Sequence, residues 1–173
     1  MNLVYELLRL TPITLAAQAE LTTSVLRCCI AALQTQERVA LQRACLVTTS
    51  LIHEAGVDAP YTAAFRPLLL ANGRDIVGTI LLGIGGSVPR SSVPALSEVL
   101  HALVFRLPSQ TRLWLGELCS QDRFPSDRLD ADTKTQFVQA VVASRALKKV
   151  KTACDQLAIV ARGLGAYGSA TVL

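Results

Sequence analysis

Apolar residues return every three or four positions along almost the whole chain, and no run alternates apolar and polar residues around a tight turn, so the sequence predicts helices and no strand. Over 21–34 the stripe is Leu26, Ile30 and Leu33, flanked by Val25 and Cys29; over 37–54 it is Ala40, Ala44, Val47 and Leu51. The link between these segments is so short that they form an antiparallel hairpin. Gly56 and Pro60 end it, and 61–86 reads as one long helix or two abutting ones, with Pro67 and Gly73 as places to kink. The run Gly85-Gly86-Ser87-Val88-Pro89 stops that element, and Ser91 and Ser92 offer caps for the next. There Leu96, Leu100, Leu103, Val104 and Leu107 make the buried stripe, with Ser97, Glu98 and His101 on the opposite side. Beyond Pro108 a short helix over 109–119 carries Trp114, Leu115 and Leu118, and a polar loop covers 120–129. Asp130 or Asp132 caps a helix to Ala143 with Phe137, Val138, Val141 and Val142 inside. The last helix keeps Leu147, Val150, Cys154, Leu157 and Ala161 on one stripe up to a glycine cap at Gly163.

Consecutive hairpins at a spacing of roughly 40 residues have the period of HEAT and armadillo arrays. The expected fold is therefore all-α, an α-α superhelix of antiparallel helical hairpins over residues 1–162, followed by a flexible tail over 163–173; a closed helical bundle is the competing architecture. In such an array each hairpin is covered only by its neighbours. Met1–Tyr5 enters the apolar pattern with no cap, as if cut from something longer, and an exposed apolar patch is expected near Leu3, Val4, Leu7 and Leu8.

Composition narrows the function. At 51% hydrophobic and 17% charged the chain must pack, which excludes a disordered segment, and the scarcity of aromatics (5%) favours helix-on-helix contact over a β-sandwich. A net charge of +4 without aromatics interleaved in a basic stripe, and without a nucleic-acid-reading motif, speaks against nucleic acid and suits acidic protein partners. Cys28, Cys29, Cys45, Cys119 and Cys154 form an odd set with no C-x-x-C pair, which reads as reduced core thiols. No cleavable leader opens the chain, so the expected location is cytoplasm and nucleus. The apolar stretch 76–88 is too short to span a bilayer and is interrupted by glycines; it reads as a buried helix, with no membrane.

Candidate chemistry is sparse. Ser97 and His101 share a helix face, but no acid is placed to orient the histidine and no oxyanion turn is visible. His53 has no such partner either. Gly83, Gly85 and Gly86 follow no strand and precede no Lys-Ser or Lys-Thr pair, so they end a helix instead of cradling phosphate, and Gly78 inside that helix permits close helix approach. No enzyme, metal or cofactor is expected. The densest charge feature is Arg145, Lys148, Lys149 and Lys151 at the start of the last helix, where the positive dipole end disfavours cations. Its two readings are a solvated face with acids from a neighbouring hairpin nearby, or contact with an acidic protein surface.

Three stretches in order resemble the C-terminal end of the importin-β (karyopherin-β) family. They are Asn72-Gly73-Arg74-Asp75 through Gly85-Gly86-Ser87-Val88-Pro89-Arg90 into Val99-Leu100-His101-Ala102-Leu103; Trp114-Leu115 followed by Phe124-Pro125-Ser126-Asp127-Arg128-Leu129 and the helix with Lys134 and Phe137; and Lys148-Lys149-Val150-Lys151 followed by Ala161-Arg162-Gly163-Leu164. The resemblance implies a HEAT-repeat nuclear transport receptor that binds protein cargo on its inner surface and Ran-GTP through an N-terminal part that this stretch lacks; it leaves nucleoporin contacts open. The second helices of the hairpins line the inner wall in that architecture. The expected cargo contacts are thus Arg38, Gln42, His53, Glu98 and His101, with the cluster Arg145, Lys148, Lys149 and Lys151. The alternative is a stand-alone helical-repeat scaffold for a cytosolic complex.

Overall fold

The computed structural model describes residues 1–56 and 58–164. Among these residues the chain forms nine α-helices and no strand. They are α1 (Asn2–Leu10), α2 (Pro12–Ala16), α3 (Ala19–Ala32), α4 (Arg38–Glu54), α5 (Thr62–Leu82), α6 (Val93–Arg106), α7 (Pro108–Cys119), α8 (Ala131–Ala143) and α9 (Leu147–Ala161). The fold is the all-α hairpin array that the spacing predicts. The tail beyond Leu164 lies outside the described residues.

Local rules explain most boundaries. Glu37 caps α4 by accepting from the backbone N–H groups of Val39 and Ala40, and Asp130 caps α8 by accepting from Thr133 N at 2.7 Å. Both carboxyls are held below the usual range, Glu37 by those backbone bonds and Asp130 by Thr133, first through its side chain and then through its backbone N–H. Gly163, with φ of 69°, ends α9 in the left-handed conformation that glycine adopts without penalty. Pro108 starts α7 at its first turn, where the missing N–H is not needed.

Several expectations shift. Ser91 and Ser92 cap nothing through their side chains: α6 is entered through a 3-10 turn, and the Ser92 hydroxyl is buried without a partner. Ser97 is buried, not opposite the core, and returns its hydroxyl to Val93 O at 2.7 Å. The reason is that α6 is covered on several sides, so its hydrophobic stripe is only part of its buried surface. On α3, Cys29 takes the buried position and Ile30 is half-exposed. Pro67 lies within an unbroken α5, and the chain leaves that helix through a π-turn, Gly83–Ser87, with Gly86 at φ 136°. The continuous helical run Thr62–Ser87 is thus longer than the apolar stretch alone. By length and composition it is apolar enough to cross a membrane, with a mean hydropathy of 1.4, yet half of it is buried within the fold. At the N-terminus Leu8 is buried and Val4 and Leu7 are half-buried against α4, so the exposed apolar residues are Leu3, Leu10 and Ile13.

The helices form two layers. α4, α6 and α9 lie side by side in one; α3, α5 and α7 make the other; α1 packs on α4, and α8 bridges α7 and α9 to close the end. α4 and α6 run parallel, with His53 and Arg106 meeting at their C-terminal ends, while α9 runs antiparallel to α6. Gly73 makes room on α5 for the Trp114 ring, with which a Cβ would collide; a Cβ at Gly78 would have room, with Leu118 at 3.8 Å. Arg162, at the end of α9, donates to Ile84 O at 2.9 Å and to Gly83 O at 2.6 Å, which ties the end of α9 to the π-turn. Lys134 is 7% exposed because its ammonium donates to Gln121 O at 2.8 Å beyond the C-terminal end of α7, where cations are favoured.

Two stability outcomes are expected. Gly73→Ala overpacks the α5–α7 contact and lowers stability by about 2 kcal/mol despite its better helix propensity, whereas Gly116→Ala, in open space on α7, raises it by up to about 1 kcal/mol. Urea unfolding of the two variants gives shifts of opposite sign. Arg162→Met removes both hydrogen bonds to the π-turn and costs about 2 kcal/mol, with Arg162→Lys recovering part of it; thermal melts read both.

Candidate protein-binding face

The residues expected to meet a partner all sit on the layer formed by α4, α6 and α9. Arg38, Gln42 and His53 belong to α4, Glu98 and His101 to α6, Arg145 to the link just before α9, and Lys148, Lys149 and Lys151 to the first turns of α9. Positions three or four apart share a helical face, which pairs Arg38 with Gln42, Glu98 with His101 and Lys148 with Lys151, while Lys149 points about 100° round α9 from Lys148.

The structure brings them into two groups. At one end Arg38, Gln42 and Glu98 line an open groove of about 400 Å³ between α4 and α6, with Cys45, Leu46 and Ala95 as apolar lining. Glu98 also accepts from Lys151 Nζ at 2.6 Å, so one of the four basic residues is neutralised by a neighbouring helix. Both partners are substantially exposed, which limits the pair to a few tenths of a kcal/mol up to about 1 kcal/mol. At the other end His53 Nδ1 accepts from Arg106 Nε at 3.3 Å. His101 Nε2 lies 2.9 Å from Arg145 O and so ties the α8–α9 link to α6. Arg145, Lys148 and Lys149 are exposed and make no ion pair among the described residues.

This geometry also separates Ser97 from His101: the serine hydroxyl is spent inside its own helix and the histidine is engaged with a backbone carbonyl. Burial pushes the thiols of Cys29, Cys119 and Cys154 up to about 11 and that of Cys45 up to about 12, so these four remain protonated core groups; Cys28 is exposed.

Sequence reasoning missed Arg106 and Phe105. Phe105 is 49% exposed, stacks on His101 with ring centroids 6.2 Å apart, and lies under the Arg106 guanidinium at 5.4 Å. A position four after His101 on the exposed side of α6 was the available signal.

Partial burial, then the charges of Arg106 and His101, hold His53 below its ordinary value of 6.5. The Arg106 hydrogen bond requires His53 neutral, since a protonated Nδ1 cannot accept. A depressed folded-state value means that stability is complete above the unfolded value and falls as pH drops through the folded one. Chemical denaturation between pH 7 and pH 5 is therefore expected to show a loss of stability on acidification that His53→Gln reduces.

Comparison with known proteins follows the same geometry. The sequence profile described as "Importin 13 repeat" matches residues 33–111. Importin-13 of Gallus gallus is 28% identical over 82% of this chain and 14% of its own length, and Importin-13 of Homo sapiens is 27% identical over the same shares. The importin beta-like protein kap111 of Schizosaccharomyces pombe is 34% identical over 56% of this chain and 10% of its own length. The solved structure titled "Importin13 cytosolic state" superposes with a TM-score of 0.75 at 17% identity, covering 83% of this chain and 16% of that one, which establishes the HEAT-repeat fold. The chain spans about one seventh of the length of the importin-13 relatives it matches.

Proposed function

We propose that this chain is a segment of an importin-β family nuclear transport receptor that moves between cytoplasm and nucleus, to which it contributes the α4–α6–α9 face as a protein-binding wall. The observation that carries the reading is the face itself. Three helices in one layer present a row of polar and basic side chains, with Arg145, Lys148 and Lys149 free of acidic partners among the described residues. A solenoid recognises cargo by many modest contacts spread along such a wall, and the charge of this portion favours an acidic surface. No catalytic group enters the reading. Ran-GTP acts, in this reading, on the receptor as a whole by changing its curvature, so its effect on cargo is transmitted to this wall and not made by contact with it.

The test is capture of nuclear-extract proteins by this chain and by a form extended with the upstream solenoid, each with and without GTP-loaded Ran. Cargo retained by the extended form and released by Ran supports the reading, and partial retention by the chain alone locates binding here. Lys148→Glu with Lys149→Glu is expected to weaken cargo binding about tenfold at low salt and to flatten its salt dependence. Unchanged affinity and salt dependence would remove the basic cluster from the contact surface, and a retained complex indifferent to Ran would replace transport with scaffolding.

A further inference from the structure

Phe105 is the only exposed Phe, Tyr or Trp among the described residues, and it sits on the face argued to bind protein. Its ring is not loose. His101 stacks against it with an interplanar angle of 29°, the Arg106 guanidinium covers it, and Arg106 is in turn held by His53 and passes close over Gly56, where a Cβ would come within 2.9 Å of the guanidinium. An aromatic ring that is already ordered loses little conformational entropy when a partner covers it, and the area it buries is large, which is the profile of an interface anchor.

The surroundings specify the partner's chemistry. His101 pins the Arg145 backbone beside the ring, and Lys148 lies one turn before Lys151 on α9. The nearest α6 carboxylate, Glu98, is occupied by Lys151. Arg145, Lys148 and Lys149 are exposed with no ion pair among the described residues, and Arg145 is tied by its carbonyl to the same His101 that stacks on the ring.

We infer that Phe105 anchors an acidic protein segment that carries an apolar side chain, the apolar group packing on the ring and the carboxylates meeting Arg145 and Lys148. This deepens the protein-binding reading and rests on it.

The test is fluorescence anisotropy of this chain with a labelled peptide of repeating Glu and Leu, beside versions with Gln for Glu and Ser for Leu. The Glu/Leu peptide is expected to bind tighter than either control. Phe105→Ala weakens that binding about tenfold while the melting temperature is held, Phe105→Leu keeps part of it, and Arg145→Glu with Lys148→Glu abolishes it. Absence of binding to the unaltered chain overturns the inference, as does equal binding by Phe105→Ala and Phe105→Leu or by the Gln peptide. If Ran-releasable cargo capture persists while the peptide fails, only this inference falls; if both fail, the transport reading falls with it.

Discussion

The exit from α5 is the constraint on which the rest of the molecule turns. A long apolar helix must stop, reverse and feed α6, and it does so through a π-turn with a glycine at φ 136°. Arg162 reaches back from the end of α9 to two carbonyls of that turn. Because the guanidinium is planar and carries several fixed donors, one side chain satisfies both acceptors and fixes the distance between the end of α5 and the end of α9. Burial and the nearby Arg90 charge lower its affinity for the proton without removing its charge, since arginine starts so far above neutrality.

Two further contacts lock the same corner. Gly85 lies so close to Pro125 that an added Cβ would come within 2.9 Å of the Pro125 carbonyl oxygen, and Ser126 donates its hydroxyl to Ala161 O at 2.8 Å. The loop after α7 is thereby clamped between the π-turn and the end of α9. With Gly73 receiving Trp114 further up α5, the three stretches that carry the family resemblance converge on one packed region. Each stretch is weak as a motif because each is one side of a contact.

That corner also fixes one end of the proposed binding face. The far end of α9 is anchored at the π-turn, and its antiparallel course along α6 delivers Lys151 to Glu98 and Arg145 to His101. The resulting wall is a product of three segments that are far apart in the chain. Its rigidity is local: α6 is buried on several sides, whereas the side chains on its open edge are held by stacking and single hydrogen bonds.

Helical periodicity, glycine and proline punctuation and acid caps were legible in order along the chain because each depends on neighbours within a turn or two. They determined the all-α class, the hairpins, the Asp130 cap and the Gly163 stop. The polar stripe of α4 was legible for the same reason, as was the basic cluster at the start of α9, though not which of its cations a neighbouring helix would pair. Tertiary structure alone decided the remainder. Whether Ser97 is buried, which glycine admits a neighbour, how α9 is oriented on α6, and that Phe105 stays half in solvent beside His101 and Arg106 all depend on which helix covers which face. A single helix's periodicity ranks its faces by polarity. Only the packing of helices distant in sequence determines how many of those faces are covered.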